Sequence, residues 1–337
     1  MGSGLATMKI VSHRFSILFL VMALLAMAGC AGEQSAFAGL GPVSSRITLL
    51  IWIMFTGAAL ITAFICVLMA ISIAGPANWR HKLAREKVIV LGGIVFPVVT
   101  LTTLLFYGFL ILKAGGKLIR AEDPVHIAVV GEQWWWRVIY RHDDGHTTES
   151  ANELHIPVGR PIEIELSTAD VIHSFWIPAY AGKVDMIPGR INTLHFMADK
   201  SGIVHGQCAE YCGGAHALMS FYAVAMAPFD YEAWLAKERA DAKPALENKG
   251  EQLFLSSGCG GCHTVRGTRA NGKIGPDLTH VGSRLSLGAG ILPNAPEHFA
   301  QWISRHQKIK PDNLMPPFDF FSENELQALA AYLDGLE

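Results

Sequence analysis

Residues 208–219 read CAEYCGGAHALM, which sets two thiols, an imidazole and a thioether within twelve residues. Outside the cytoplasm two close cysteines pair as a disulfide by default, and that reading stays open for Cys208 and Cys212. Their neighbours favour a metal. A mononuclear copper loop takes one Cys, one His and a weak axial Met, with a second His from upstream. Cys212, His216 and Met219 supply the loop part, and His173 of ADVIHSFWIP the upstream part. Cys208 is then surplus to one copper ion, but it suits two ions bridged by both thiolates. Soft sulfur donors fit copper, and an electron spread over two metals demands little rearrangement of the protein.

A second pair lies at CGGCH, residues 259–263. This is the C-x-x-C-H signature of covalent c-type haem, with Cys259 and Cys262 fixing the porphyrin edge and His263 placed for the iron. A chance match or half of a zinc site is the alternative, and no further cysteine pair lies nearby to complete such a site. Met315 in the LMPPF turn is the expected second axial ligand, a pairing that raises the haem potential. His280, His298 and His306 are the alternatives.

These groups must be placed by a chain of 337 residues with net charge −2 and only 17% charged residues. No basic surplus exists to neutralise phosphates, so nucleic acid is excluded as a partner. Mean hydropathy is positive, which points to membrane segments. Lys9, His13 and Arg14 precede the apolar run FSILFLVMALLAMAGC, a secretory leader pattern over residues 1–30. Its ending resembles a bacterial lipoprotein box with Met27 at the usual Leu position, which makes Cys30 the candidate lipidation site. Plain cleavage nearby is the other reading.

Two uncharged runs follow, 47–74 and 88–112, each longer than the ~20 residues that a membrane-crossing helix needs. Pro97 is expected to kink the second, which membrane helices tolerate. The connection between them carries Arg80, Lys82, Arg85 and Lys87 against Glu86. By the positive-inside rule it is cytoplasmic, and everything after about residue 113 lies outside. Cys66 falls in the first run, where it reads as a small apolar residue. From 125 to 228, branched and aromatic stretches between Gly, Asp and Pro turns predict an all-β antiparallel sandwich or barrel. A charged, Ala-rich stretch, 231–246, reads as a helical linker broken by Pro244. Residues 247–337 show helical patterns at both ends around a loop-rich middle.

The motif C-A-E-Y-C-G-G-A-H-A-L-M resembles the dinuclear copper (CuA) loop of cytochrome c oxidase subunit II. GEQWWWRVIY, ADVIHSFWIP and KVDMIPGR follow the family's order, and the resemblance covers about residues 45–230. It implies a multidomain membrane protein: a two-helix transmembrane hairpin (45–113) and an all-β cupredoxin domain (124–230). Cys208 and Cys212 would bridge two copper ions, His173 and His216 would each cap one, and Met219 and the Glu210 carbonyl would be weak ligands. Trp134 matches the aromatic residue through which electrons arrive from cytochrome c, whereas Trp135 reads as a sheet aromatic. Asp185 and the Glu210 side chain match residues holding a magnesium ion against the catalytic subunit. Asp170 reads either as a donor-steering acid or as a cap.

The C-terminal part resembles an all-α class I cytochrome c (247–337), reached through the linker 231–246. The fusion is similar to subunit II of caa-type oxidases. It implies electrons passing from cytochrome c, or another donor, through the chain's own haem to the copper pair. From there they pass to subunit I, for oxygen reduction coupled to proton translocation, with subunit III as a further partner and the bacterial plasma membrane as the location. No residue of this chain could form the oxygen site. A copper-free quinol-oxidase homologue and a free-standing membrane-anchored carrier for a different terminal reductase are the competing readings.

Overall fold

The computed structural model describes residues 32, 34–118, 123–243 and 249–337. The leader with Cys30, and residues 244–248 of the linker, lie outside the described residues. Helix α1 (Pro42–Ala74) and the rod formed by α3 (Glu86–Val90), a π turn (Leu91–Val95) and α4 (Phe96–Leu118) are joined by the short helix α2 (Ala77–Leu83). Both rods are long and apolar enough to cross a bilayer. They leave Phe55, Leu60, Phe64, Leu101 and Phe106 exposed, a surface that only lipid or another apolar protein would cover without large cost. Just before Pro97 the helix passes through the π turn. Proline cannot donate to the carbonyl four residues back and its ring clashes there, so the helix widens by one residue just before it.

The β domain has ten strands: β1 (Val125–Glu132), β2 (Trp135–Arg141), β3 (Thr147–Ala151), β4 (Glu153–Pro157), β5 (Ile162–Thr168), β6 (His173–Trp176), β7 (Val184–Met186), β8 (Asn192–Phe196), β9 (Gly202–Cys208) and β10 (Ser220–Met226). They form two five-stranded sheets, ordered β3-β2-β1-β5-β8 and β4-β10-β9-β6-β7. The expectation of a wholly antiparallel sandwich is corrected: β1 pairs with β5, and β4 with β10, in parallel. Buried and less buried side chains alternate along β1, β5 and β10, with Ile127, Val129, Ile162, Ile164 and Leu166 fully or almost fully buried, whereas β4 is buried throughout. Trp136 sits beneath the copper-type loop, its ring 5.4 Å from Phe175 and 5.3 Å from Phe221. Gly206 makes way for Phe221, since a Cβ there would lie 2.1 Å from that ring.

The stretch read as a helical linker is helical in its first half, and that helix is docked. Helix α5 (Pro228–Arg239) occupies its first half and packs onto the sandwich through Tyr231 and Trp234. Trp234 stacks on His155 at 4.1 Å and meets Tyr140 edge-on, and Arg239 Nη2 donates to Asp144 Oδ2 at 2.8 Å. The last domain is built from α6 (Lys249–Ser256), α7 (Pro296–Ile309) and α8 (Glu323–Asp334) around Phe254, Phe299, Ile303, Leu329 and Tyr332. The crossing of α6 on α8 requires Gly250, where a Cβ would meet the Ala328 carbonyl at 2.2 Å.

Candidate electron-transfer centres

Strand β6 opens on His173, β9 closes on Cys208, and the loop between β9 and β10 brings Cys212, His216 and Met219 back over them. The two sulfurs stand 3.8 Å apart, far beyond the ~2.05 Å of a disulfide, and both thiols are free. His173 Nδ1 lies 3.8 Å from Cys208 Sγ, and His216 Nδ1 lies 3.4 Å from Cys212 Sγ. Met219 Sδ is 3.9 Å from Cys212 Sγ, and the Cys208 thiol donates to the Glu210 carbonyl at 3.2 Å. His173, Cys208 and Cys212 form a buried cluster able to hold a metal ion.

The electrostatics already separate the thiols. The hydrogen bond shared with Cys212, outweighing burial, holds Cys208 down to about 3. The same contact, with burial, pushes Cys212 up. Burial pulls His173 down, but its bonds to Cys208 and Asp170 win and leave it raised. The two thiols are thus inequivalent, and a metal bound to both would displace their protons.

Asp170 turns out to orient a candidate ligand. His173 Nε2 donates to Asp170 Oδ1 at 2.8 Å, which turns Nδ1 toward the sulfurs. Asp170 also accepts from the backbone N–H of Gln133 at 2.7 Å and of Val171 at 2.6 Å. The cap reading and a ligand-orienting role therefore meet in one carboxylate. Gly131 leaves room for the imidazole, because a Cβ there would lie 2.9 Å from it. Asp170→Asn offers a weaker, uncharged acceptor; copper affinity should fall about 10–100-fold, measured by competition with a copper chelator.

The second centre is a cavity of about 490 Å³ lined by Cys259, Cys262, His263, Met315 and apolar residues including Phe299 and Leu329. His263 Nδ1 donates to the Pro276 carbonyl at 2.8 Å, leaving Nε2 for an axial ligand, and burial lowers its pKa. Gly275 is needed beside it, since a Cβ would meet the ring at 2.5 Å. Of the candidate second ligands only Met315 lines the cavity; His280, His298 and His306 do not. His306 instead donates from Nε2 to the Met315 carbonyl at 3.0 Å, which positions that loop. His280 Nε2 donates to the Ala240 carbonyl at 3.0 Å.

Trp134 joins the two centres. It forms part of the cavity wall, while its Nε1 donates to the Cys212 carbonyl at 3.0 Å. Gln133 Nε2 donates to the same oxygen at 2.8 Å. Trp134 is only 6% exposed: it belongs to the core of the β domain and also lines the cavity of the last domain. Of the neighbouring pair, Trp136 is the buried sheet aromatic, whereas Trp135 is half-buried on the cavity wall with Arg137 stacked 4.7 Å above it.

Asp185 and Glu210 share one partner, Lys183, whose Nζ lies 3.0 Å from the first and 3.8 Å from the second. Asp185 also accepts from Ser174 Oγ at 2.8 Å, which with Lys183 lowers its pKa. Lys310 was not singled out from sequence. It lies at the end of α7, 3% exposed, and burial pulls its ammonium down to about 7 against the attraction of Cys212.

Comparison with known proteins matches these two units separately. Residues 140–226 fit the family described as cytochrome c oxidase subunit II, periplasmic domain, and residues 247–337 fit cytochrome c. The chain is 39% identical over 219 residues to a cytochrome c oxidase subunit 2 of Alkalihalophilus pseudofirmus, covering 64% of this chain and 62% of that protein's length. It is 31% identical over 263 residues to the cytochrome c oxidase subunit 2 of Bacillus sp. strain PS3, covering 72% of each chain. With that of Bacillus subtilis it shares 32% over 257 residues, 72% of this chain and 70% of the relative. With these relatives and a cytochrome c unit after its sandwich, the chain belongs to the cytochrome c oxidase subunit II family and carries a fused C-terminal cytochrome c domain.

Proposed function

We propose that the chain is the electron-accepting subunit of a membrane-bound cytochrome c oxidase, taking electrons from cytochrome c or another donor. The observation that carries this reading is the pair of donor sets on either side of Trp134. The donor chemistry fits the groups: two free thiols, two imidazole nitrogens and a thioether suit two copper ions. The cavity with paired cysteines, His263 and Met315 suits a covalent haem. When bound, these groups supply one-electron carriers at the two places.

The chain's residues do the rest. His173, Cys208, Cys212, His216, Met219 and the Glu210 carbonyl would hold copper, with Asp170 fixing the first imidazole. Cys259 and Cys262 would anchor the haem edge, with His263 and Met315 on its two faces. Trp136, Phe175 and Phe221 exclude water from beneath the sulfurs, and Trp134 places a continuous aromatic and hydrogen-bonded contact between the centres. A magnesium ion at Asp185 and Glu210 would belong to the interface with the catalytic subunit and requires Lys183 to swing away.

Oxygen reduction and proton translocation would take place in subunit I, with subunit III in the same complex. The test is purification in mild detergent with a tag on this chain. A large polytopic haem-containing subunit should come with it. Isolation of the chain alone, fully loaded with copper and haem, would instead mark a free-standing carrier.

The same reading makes the chain multi-pass in a bacterial plasma membrane with both cofactor domains outside. The basic loop with Arg80, Lys82, Arg85 and Lys87 then faces the cytoplasm. A reporter inserted there that works only in the cytoplasm should be active, and one that works only in the periplasm should be silent. The reverse pattern would refute this topology.

A further inference from the structure

The two outer domains of this chain are held together by buried ionisable side chains that bond backbone, in both directions. Lys310 of the haem domain sends Nζ to the Trp134 carbonyl at 2.5 Å and to Gly288 of its own domain at 2.9 Å. Glu153 of the copper domain, 3% exposed, accepts the backbone N–H of Leu285 from the haem domain while also facing His155 Nε2 at 3.1 Å. Ser220 Oγ, one residue past Met219, donates to the Ala289 carbonyl at 2.8 Å. At the edge, Arg137 Nη2 donates to the Lys273 carbonyl at 2.9 Å.

The segment after α5 is gripped as well. Arg266 donates to the carbonyls of Glu238 and Ala240, and its own carbonyl accepts from the Ala242 N–H at 3.0 Å. The fit is close near the copper loop, where a Cβ on Gly214 would lie 2.1 Å from Asp312 of the haem domain.

A contact formed only in passing keeps its charges at a wet rim, because burying them costs several kcal/mol unless they are bonded. Lys310 and Glu153 are both nearly inaccessible, and each reaches a backbone group that the other domain alone supplies. Pulling the domains apart would leave Trp134 and Leu285 without these partners. Together with the covered Trp134, this describes a standing interface.

We propose that Lys310 and Glu153 lock the haem domain over the Trp134 face of the copper domain, closing that face to any external protein donor. The proposal rests on the reading of Trp134 as the link between the two centres. It makes Lys310 a positioning residue, bonded to the Trp134 carbonyl while also lining the haem-type cavity. An outside donor must then meet the haem domain, since the tryptophan that would otherwise receive it is already taken by the chain itself.

The test uses the full-length protein in its complex, with residues 244–248 replaced by a protease site. After cleavage, gel filtration in detergent follows whether the haem domain stays with the membrane part. In the otherwise unchanged protein it should co-elute at micromolar concentration. Lys310→Met and Glu153→Leu should each weaken retention by on the order of 30-fold or more, as expected when one partner of a buried charged bond is removed. The substitutions lie in different domains, so if one prevents folding, judged by haem absorbance or copper content, the other decides.

Release of the unsubstituted haem domain, or retention of both variants as tight as the unsubstituted protein, would overturn the proposal. Cofactor content separates this from the functional reading: missing copper or haem in the unsubstituted protein defeats that reading, whatever the domains do on the column.

Discussion

Cys212→Ser is expected to abolish the shared-valence copper signal of the proposed centre and to leave at most one metal ion per chain. Cys212 is the hub of the site, with Cys208 Sγ, His216 Nδ1 and Met219 Sδ all within 3.4–3.9 Å of its sulfur. A serine hydroxyl at that place is a hard donor, whereas copper in such sites selects sulfur. Cys208→Ser should do the same by removing the other bridge. Met219→Leu should differ in kind, keeping both metals and shifting the potential, because an axial thioether tunes more than it holds. Metal analysis with paramagnetic resonance checks all three. Two copper ions with an unaltered spectrum in Cys212→Ser would remove the bridging assignment.

Truncation after Ala240 should leave copper loading intact, because every proposed copper ligand lies upstream of the cut. Electron delivery, by contrast, should become second order and slow. A tethered partner sits at an effective concentration of about 1 mM or more. Against about 1–10 μM of free donor, the rate of copper reduction should fall roughly 10²–10³-fold. Met315→Ala acts at the same step by another route. Axial ligands set haem potentials over about 0.8 V, and losing the thioether should lower this one by on the order of 0.2 V. Haem attachment at Cys259 and Cys262 should be unaffected. Rapid mixing with a reduced donor should show haem reduction preceding copper reduction in the intact complex. Copper filling first, at full rate, would make the haem domain a side branch.

The residues that read most clearly from sequence are those whose meaning is local. Cys208, Cys212, His216 and Met219 lie within one loop, and Cys259, Cys262 and His263 within one turn, so spacing alone exposes them. Asp170, Gln133, Glu153 and Lys310 act across the fold, and nothing near them in sequence says what they will face. The parallel pairings of β1 with β5 and β4 with β10 were equally hidden, since a period of two is the same in both kinds of ladder. Helix α5 was legible as a helix but not as a docked one. Tyr231, Trp234 and Leu235 fall at the spacing of one helical face, and that face is what packs on the sandwich.

The docking of α5 also fixes how far the haem domain could ever travel. Nine residues separate Arg239 from Lys249, which fully stretched span about 30 Å. That is no more than the width of a small domain, so a haem released from one copper site could not search beyond its own molecule. Oxidases spaced further apart than this in the membrane would not exchange electrons through these domains. Each copper centre would be served by its own cytochrome alone, and dilution in lipid would leave that step unchanged. A longer leash would have made the haem a shared commodity; this one makes it private.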